Sequence, residues 1–509
     1  MRPELVALVG VALVVGVVLR FVASTPLWLD EALTANLAKL PPGELLEALR
    51  SDGHPPLYYL LLHYWGGLVG TSDVALRALS GVLSVAALPL VWIAGRRFGG
   101  PVAGWVAVAV LAMNPFALRY ATENRMYALV AVEVLVVWLL ADDLWARRRA
   151  RWRVPALAVA AGALLWTQYW GAFLLAAIGL VAVWRWVRGS APERRGAVWV
   201  LVSLVAAAVL FVPWLPSFLD QLGSTGTPWA SAMRPTAAAG QFIGDLAGGA
   251  PREAFLFAAL FGVVAVLGVF GRTSTDPHLI ELDVRTTPTV RTEALLGVLA
   301  LGIGATLGWL GGTTFASRYA MVVLPLVVLV LAAGVVVVTH RSARAVLLAV
   351  VLAAGVVGSG HELTSERTQS AEWATAIIAD ARPGDVVATC PDQLGPATER
   401  ALRQRLGDDL GGLAVVGVPT LGDARFVDWV DYEDRNAAAD PAGVASALAE
   451  LAGPDGSVFL VWNPSYRTYE GLCEGVVEAL GVTYPAVTEL VVADTENSFE
   501  HATVTWFRR

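Results

Sequence analysis

Trp28-Leu29-Asp30-Glu31-Ala32, followed by Asp52-Gly53-His54-Pro55-Pro56-Leu57-Tyr58-Tyr59, stands directly behind the first long apolar run of a 509-residue chain. The two blocks gather three carboxylates and a histidine within 25 positions, where a chain leaving a bilayer meets water. The apolar piece that follows, Pro55 to Val69, either crosses the membrane or lies on its surface. That choice fixes the side of every later loop, so this stretch decides the topology.

A membrane frame is required by composition. Apolar residues make up 56% of the chain and charged ones only 16%, against about a quarter in soluble domains. The net charge of -7 averages two unlike parts, because the apolar runs stop near residue 361 and many acids lie beyond it. No basic cluster is interleaved with aromatics, which excludes a nucleic-acid surface.

Residues 4 to 22 are read as a retained helix that starts in the cytoplasm, since Ser24-Thr25-Pro26 is a poor signal-peptide cleavage site. Pro55 to Val69 is short, opens on a proline pair and carries His63 and Trp65, the profile of an interfacial helix. With the second span at Val74 to Ile93, Arg96 and Arg97 fall inside. The clusters Arg147 to Arg153, Arg185 to Arg195 and His340 to Arg344 then follow suit, a positive-inside pattern. Eleven spans result, at 4 to 22, 74 to 93, 101 to 117, 126 to 145, 154 to 168, 170 to 187, 196 to 215, 252 to 271, 293 to 310, 319 to 338 and 344 to 361. The predicted class is a polytopic α-helical membrane protein with a transmembrane domain over 1–361.

This topology puts four segments on the outer side: the loop 23 to 73, the turn Arg119 to Tyr127, the loop 216 to 251, and Thr313 to Tyr319. Outer arginines run against the usual bias, and a lipid phosphate would give them a partner. Residues 362–509 alternate helix-like and strand-like segments, with a helix at Ala371 to Ala381, strands at Asp385 to Cys390 and Ser457 to Trp462, and a helix at Leu472 to Leu480. They predict an extracytoplasmic α/β domain. Its Cys390 and Cys473 are the chain's only cysteines, read as a disulfide in an oxidising space, with two buried thiols as the bland alternative. Gly395-Pro396-Ala397-Thr398 lacks phosphate-loop spacing, so no nucleotide cofactor is assigned.

A carboxylate at the membrane edge can act as a general base toward a hydroxyl. Asp30 can equally be the N-cap of an amphipathic helix, with Glu31 a first-turn acid. Asp52 either caps the interfacial helix or holds a divalent metal with Asp30 or His54. Trp166, Tyr169, Trp170, Trp214 and Trp229 line a sugar cavity or form the interfacial aromatic belt. Trp462, Tyr466 and Tyr469 are either stacking surfaces or core.

The two opening blocks, with Leu76-Arg77 and Arg119-Tyr120 through Glu123-Asn124-Arg125-Met126-Tyr127, resemble the GT-C glycosyltransferases of the protein O-mannosyltransferase and aminoarabinose-transferase group. The resemblance covers about residues 1–220, with a looser echo at Ser317-Arg318-Tyr319, and does not reach the C-terminal domain. It implies a GT-C fold with a seven-helix module, a polyprenyl-phosphate-linked sugar as donor, and Asp30 as catalytic acid with Glu31 beside it. Asp52 corresponds to the second acidic position, near His54. Lipid-phosphate contacts map onto Arg77, Arg125 and Arg318, then Arg119 and Tyr127. The implied reaction carries the sugar to a hydroxyl of a cell-envelope glycan, glycolipid or protein. A lipid-linked sugar transporter or flippase is the alternative class, although such carriers use a midplane site and internal repeats. A catalytically inactive glycan-binding homologue is the third.

Overall fold

The computed structural model describes the chain except residues 1–2, 147–151, 226, 228–229, 250–252, 287–288 and 465. Residues 147–151 of the second basic cluster and Trp229 therefore lie outside the described residues. Helix α1 (Pro3–Leu19) leads into three short helices, α2 (Leu29–Lys39), α3 (Pro42–Asp52) and α4 (Leu57–Val69). Next come α5 (Asp73–Met113), α6 (Pro115–Ala121), α7 (Tyr127–Trp145), α8 (Arg153–Thr167), α9 (Gly171–Arg188), α10 (Ala191–Phe211), α11 (Leu215–Ser224) and α12 (Pro235–Leu246). The helical part ends with α13 (Ala254–Phe270), α14 (Arg291–Leu310), α15 (Leu324–Val337) and α16 (Arg341–Thr364).

The eleven expected spans all fall on these helices, two of them on α5. Its path breaks at Gly99 and at Gly100, whose φ of 67° suits a residue without a Cβ. The two limbs then fold back closely, for a Cβ on Gly104 would lie 2.8 Å from the Trp92 carbonyl oxygen. Among the described residues, five helical runs are long and apolar enough to cross a membrane by themselves: α5, α9, the run Ala191–Ser224, α14 and α16. Helices α1, α8, α13 and α15 are shorter but equally apolar. Helix α7 carries Asp142 and Asp143 at its far end, where Arg97 reaches them at 2.6 and 3.0 Å.

Two boundaries differ from expectation. Helix α10 starts at Ala191, earlier than position 196, because Ser190 and Glu193 form a reciprocal capping box. Helix α15 starts at Leu324, because Ser317–Val322 is wound as a 3-10 turn. The short helix α4 lies beside α2 and α5 with Leu61, Tyr64, Leu68 and Val69 exposed.

A hairpin, β1 (Gly271–Thr273) with β2 (Ile280–Leu282), follows α13. The C-terminal domain holds β3 (Glu366–Thr368), β4 (Val386–Cys390), β5 (Ala414–Gly417), β6 (Gly422–Asp423), β7 (Val458–Trp462), β8 (Ala486–Val491), β9 (Ser498–Glu500) and β10 (Thr503–Arg508). Six of them form one sheet in the order β6-β5-β4-β7-β10-β8, with β5, β4 and β7 parallel. Helices α17 (Ser370–Asp380), α18 (Gly395–Leu406), α19 (Tyr432–Ala437), α20 (Pro441–Ala452) and α21 (Leu472–Thr483) accompany it. The fully buried runs of β4 and of β7 up to Val461 are what a sheet covered on both faces demands. Outside this sheet, β3 pairs in parallel with β9.

The domain sits on the helices of the first loop. Arg400 reaches Asp73 at 2.6 Å, the Asn36 amide donates to the Arg425 carbonyl at 3.0 Å, and Trp28, Leu29, Leu33 and Leu37 share a core with Tyr469 and Leu472. Tyr469 is a core residue, its hydroxyl bound to Asp392. Trp462 is partly buried, and its indole N–H donates to Thr505.

Cys390 and Cys473 are bonded, 83 positions apart, tying the end of β4 to the start of α21. Loop-closure entropy for such a span is worth about 4 kcal/mol. Replacing both cysteines by serine is expected to lower the melting temperature of the C-terminal domain markedly while leaving far-ultraviolet helicity of the bundle intact. Equal melting curves would show that the bond adds nothing.

Candidate active site

Helix α2 begins at Leu29, two residues earlier than a cap at Asp30 would place it. The N-cap is Trp28, which has no side-chain acceptor, so Asp30 and Glu31 both occupy the first turn. There the helix dipole favours both charges. Consecutive helical residues diverge by about 100°, and the two acids accordingly meet different surroundings.

Glu31 is fully buried. Arg77 grips it with two N–H groups at 2.7 and 2.5 Å, the Asn124 amide donates to it at 2.7 Å, and Arg367 of the C-terminal domain lies 3.5 Å away. Burial alone would raise this carboxyl. The two guanidiniums and the amide outweigh it, leaving Glu31 below the usual carboxylate range. Arg77, 4% exposed, also donates to the carbonyls of Thr25 and Pro26. These donors are committed within the fold, and Glu31 is the buried counter-charge of Arg77.

Asp30 faces the other way. Its side chain is 14% exposed, with Arg318 at 3.1 Å and Arg125 at 4.0 Å. Arg125 is the hub of the cluster. It donates to Thr34 at 2.8 Å, to the Tyr59 hydroxyl at 3.2 Å and to His54 Nε2 at 3.0 Å. Because arginine can only donate, His54 Nε2 accepts and its proton sits on Nδ1, which donates to Asp52 at 3.0 Å. The Tyr59 hydroxyl also donates to Asp52, at 3.0 Å.

Asp52 is therefore no cap for the interfacial helix. It ends α3, ahead of Gly53 at φ 83°, and α4 is capped by Pro56. A carboxylate at a helix C-terminus opposes the dipole. Burial would raise it further, and His54, Arg125 and Tyr59 overcome both, holding Asp52 below its usual value.

The donor set at Asp52 and His54 does not fit a divalent cation. Nδ1 faces Asp52 itself, Nε2 faces a guanidinium, and among the described residues no third His, Cys, Asp or Glu completes a site. Arg119 lies between Glu123 at 3.5 Å and Glu362 at 3.3 Å. Tyr127 is buried edge-to-face against Tyr120, its hydroxyl without a hydrogen-bond partner among the described residues. Trp170 stacks on Tyr319, beside Arg318. Trp166 and Trp214 instead tie the loop together, Trp166 donating to the Leu210 carbonyl and Trp214 to the Tyr169 hydroxyl.

Three neighbours escaped the sequence reading. Thr34 carried no signal beyond helix-forming context. Arg367 stands in the polar stretch ahead of the helix at Ala371 to Ala381, and Glu500 in a segment with no recognised motif. The Glu500 carboxyl accepts from the Leu29 amide at 3.2 Å. Burial, with the carboxylates of Asp30 and Glu31 nearby, pushes it up to about 8. The folded state thus holds a proton that the unfolded chain releases at ordinary carboxylate pH, so Glu500 weakens the fold as pH rises from about 4 to about 8. Glu500→Gln is expected to melt higher than wild type by a margin that widens over this window and levels off above it. A margin independent of pH would refute the assignment.

An apolar bundle whose first loop folds into short helices beneath a C-terminal α/β domain, with an acid and arginines meeting at one end, has a counterpart of the same fold among solved structures. The chain superposes on ArnT from Cupriavidus metallidurans in the apo state with a TM-score of 0.59 at 14% identity, covering 98% of this chain and 97% of that one. It superposes equally on the same protein bound to undecaprenyl phosphate, with a TM-score of 0.59, 15% identity and the same coverage. At such identity the likeness is one of fold. No protein-family model and no curated relative matches the chain.

Proposed function

We propose that this protein is a membrane glycosyltransferase that moves a sugar from a polyprenyl-phosphate donor to a hydroxyl of a cell-envelope glycan, glycolipid or protein. The observation that carries the reading is the exposure pattern of the acids. Asp30 is partly open and bracketed by two arginines, whereas Glu31 and Asp52 are enclosed. The binding of undecaprenyl phosphate by the fold neighbour supports the donor class.

In this reading Arg318, 19% exposed, receives the donor phosphate. A phosphate draws that guanidinium from Asp30 and leaves the carboxylate free to accept a hydrogen bond from the acceptor hydroxyl. The hydroxyl oxygen attacks the anomeric carbon, its proton passes to Asp30, and the bond from that carbon to the phosphate oxygen breaks with inversion. Polyprenyl phosphate leaves with the electron pair. Arg318 and Arg125 stabilise its charge, and the Tyr127 hydroxyl is a further donor at this end of the bundle. No general acid is required, since phosphate is already a good leaving group. Metal plays no part in these steps.

The arginine distribution supports a plasma-membrane protein with a cytoplasmic N-terminus and an extracytoplasmic site and C-terminal domain. The charged cluster lies at one end of the helices rather than at their midpoint, which favours transfer over alternating-access transport. The test is transfer by the purified protein in detergent, using a panel of short-chain polyprenyl-phosphate sugars with envelope acceptors, with and without chelator. One sugar is expected to be transferred, with or without chelator. Donor passage across sealed vesicles without glycoside formation would favour the transporter reading.

A further inference from the structure

We propose that the strand pair β3–β9 of the C-terminal domain is a clamp that sets the position of Asp30, with Arg367 and Glu500 as positioning residues. The catalytic half of this inference rests on Asp30 being the general base; the clamp itself rests on geometry alone.

Three of the four residues Trp28 to Glu31 are held one by one. The Phe499 ring meets Trp28 edge-on at 5.3 Å, Glu500 accepts the Leu29 amide at 3.2 Å, and Arg367 approaches Glu31 at 3.5 Å. Asp30 alone in this run is left to Arg318 and Arg125. The grips come from two strands fixed against each other, with Glu366 opposite Ser498, Thr368 opposite Glu500, and the Gln369 amide bound to the Glu500 carbonyl at 3.0 Å.

Arg367 does more than touch Glu31. Its other contacts are the Thr122 carbonyl at 2.9 Å and the Thr122 hydroxyl at 2.8 Å, at the head of the turn that delivers Arg125. One guanidinium therefore registers the segment bearing Asp30 against the segment bearing Arg125. Simple adhesion between domains does not explain the choice of residues. A buried arginine and a buried carboxyl are costly, and apolar side chains would hold the surfaces together as well or better. What charged groups add is direction, and a misplacement of about 1 Å at a reacting group can cost about 100-fold in rate.

The test uses the full chain in detergent, with Arg367→Met, Glu500→Leu, Phe499→Ala and the conservative Glu500→Gln. Amide hydrogen exchange over residues 28–36 reads the clamp without any substrate, and steady-state kinetics reads its effect on turnover. Exchange in that segment is expected to rise in the first two variants, and less in Phe499→Ala, with the spans unchanged. Their kcat is expected to fall about 10- to 100-fold with donor KM within about threefold, while Glu500→Gln, which keeps an oxygen for the Leu29 amide, recovers most of the loss. If exchange stays at wild-type level in all variants, including Phe499→Ala should a charged-site variant not fold, the clamp does not exist. Raised exchange with wild-type kcat would overturn the positioning role and leave only a structural contact. Raised exchange in the variants, together with a wild type that transfers no sugar from any donor, would overturn the glycosyltransferase reading, and with it the catalytic half, while upholding the clamp.

Discussion

Asp30→Asn is expected to lower sugar transfer by about three orders of magnitude, within the range that loss of a general base produces, while leaving the protein folded. Asparagine has nearly the same shape and cannot take the acceptor's proton. It also removes the charge that pairs with Arg318 at 3.1 Å, so donor binding is expected to hold or tighten as that guanidinium turns to phosphate. The measurement is kcat together with binding of a short-chain polyprenyl phosphate. Transfer at the wild-type rate would end the assignment of Asp30 as base, and loss of donor binding with unchanged kcat would make Asp30 a binding residue.

Arg77→Met is expected to have the largest effect on stability, about 3 kcal/mol or more. The substitution leaves Glu31, which has no exposure to water, with Arg367 at 3.5 Å and the Asn124 amide as its remaining support. The double variant Glu31→Gln with Arg77→Met removes the buried charge as well and is expected to regain part of the loss. Thermal unfolding in detergent decides it. If Arg77→Met melts like wild type while transfer and donor affinity collapse, Arg77 is a phosphate ligand after all, and the structural role argued for it is wrong.

The parts of the fold that read directly from the sequence are those set by local pattern. Span positions followed from apolar length, and the arginines that rank Pro55 to Val69 as interfacial also agree with α4, a helix of 13 residues. In the C-terminal domain, Asp385 to Cys390 and Ser457 to Trp462 became β4 and β7, because continuous apolar runs of this length fit a doubly covered sheet. Ala371 to Ala381 and Leu472 to Leu480 became α17 and α21.

The site was legible only as a set of residue types. Asp30, Glu31, Asp52, His54, Arg125 and Arg318 do gather at one end of the bundle, yet nothing local says which acid is enclosed. That is decided by Arg77, Asn124 and Arg367, partners 46, 93 and more than 300 positions from Glu31. Periodicity and capping rules act over a few turns and are blind to such distances. The surroundings of Asp52 and His54 were hidden for the same reason, since the side chain of Arg125 stands between His54 and Asp30.

The hydrogen bond between Leu29 and Glu500 joins positions 471 apart. On the ribosome, the segment with Asp30 emerges long before the strand that holds it. For the interval between, helices already made stand without the partner that holds Leu29. Contacts of such long range are slow to form. The surroundings of Asp30 are therefore completed late in folding, after the helices that flank them have formed.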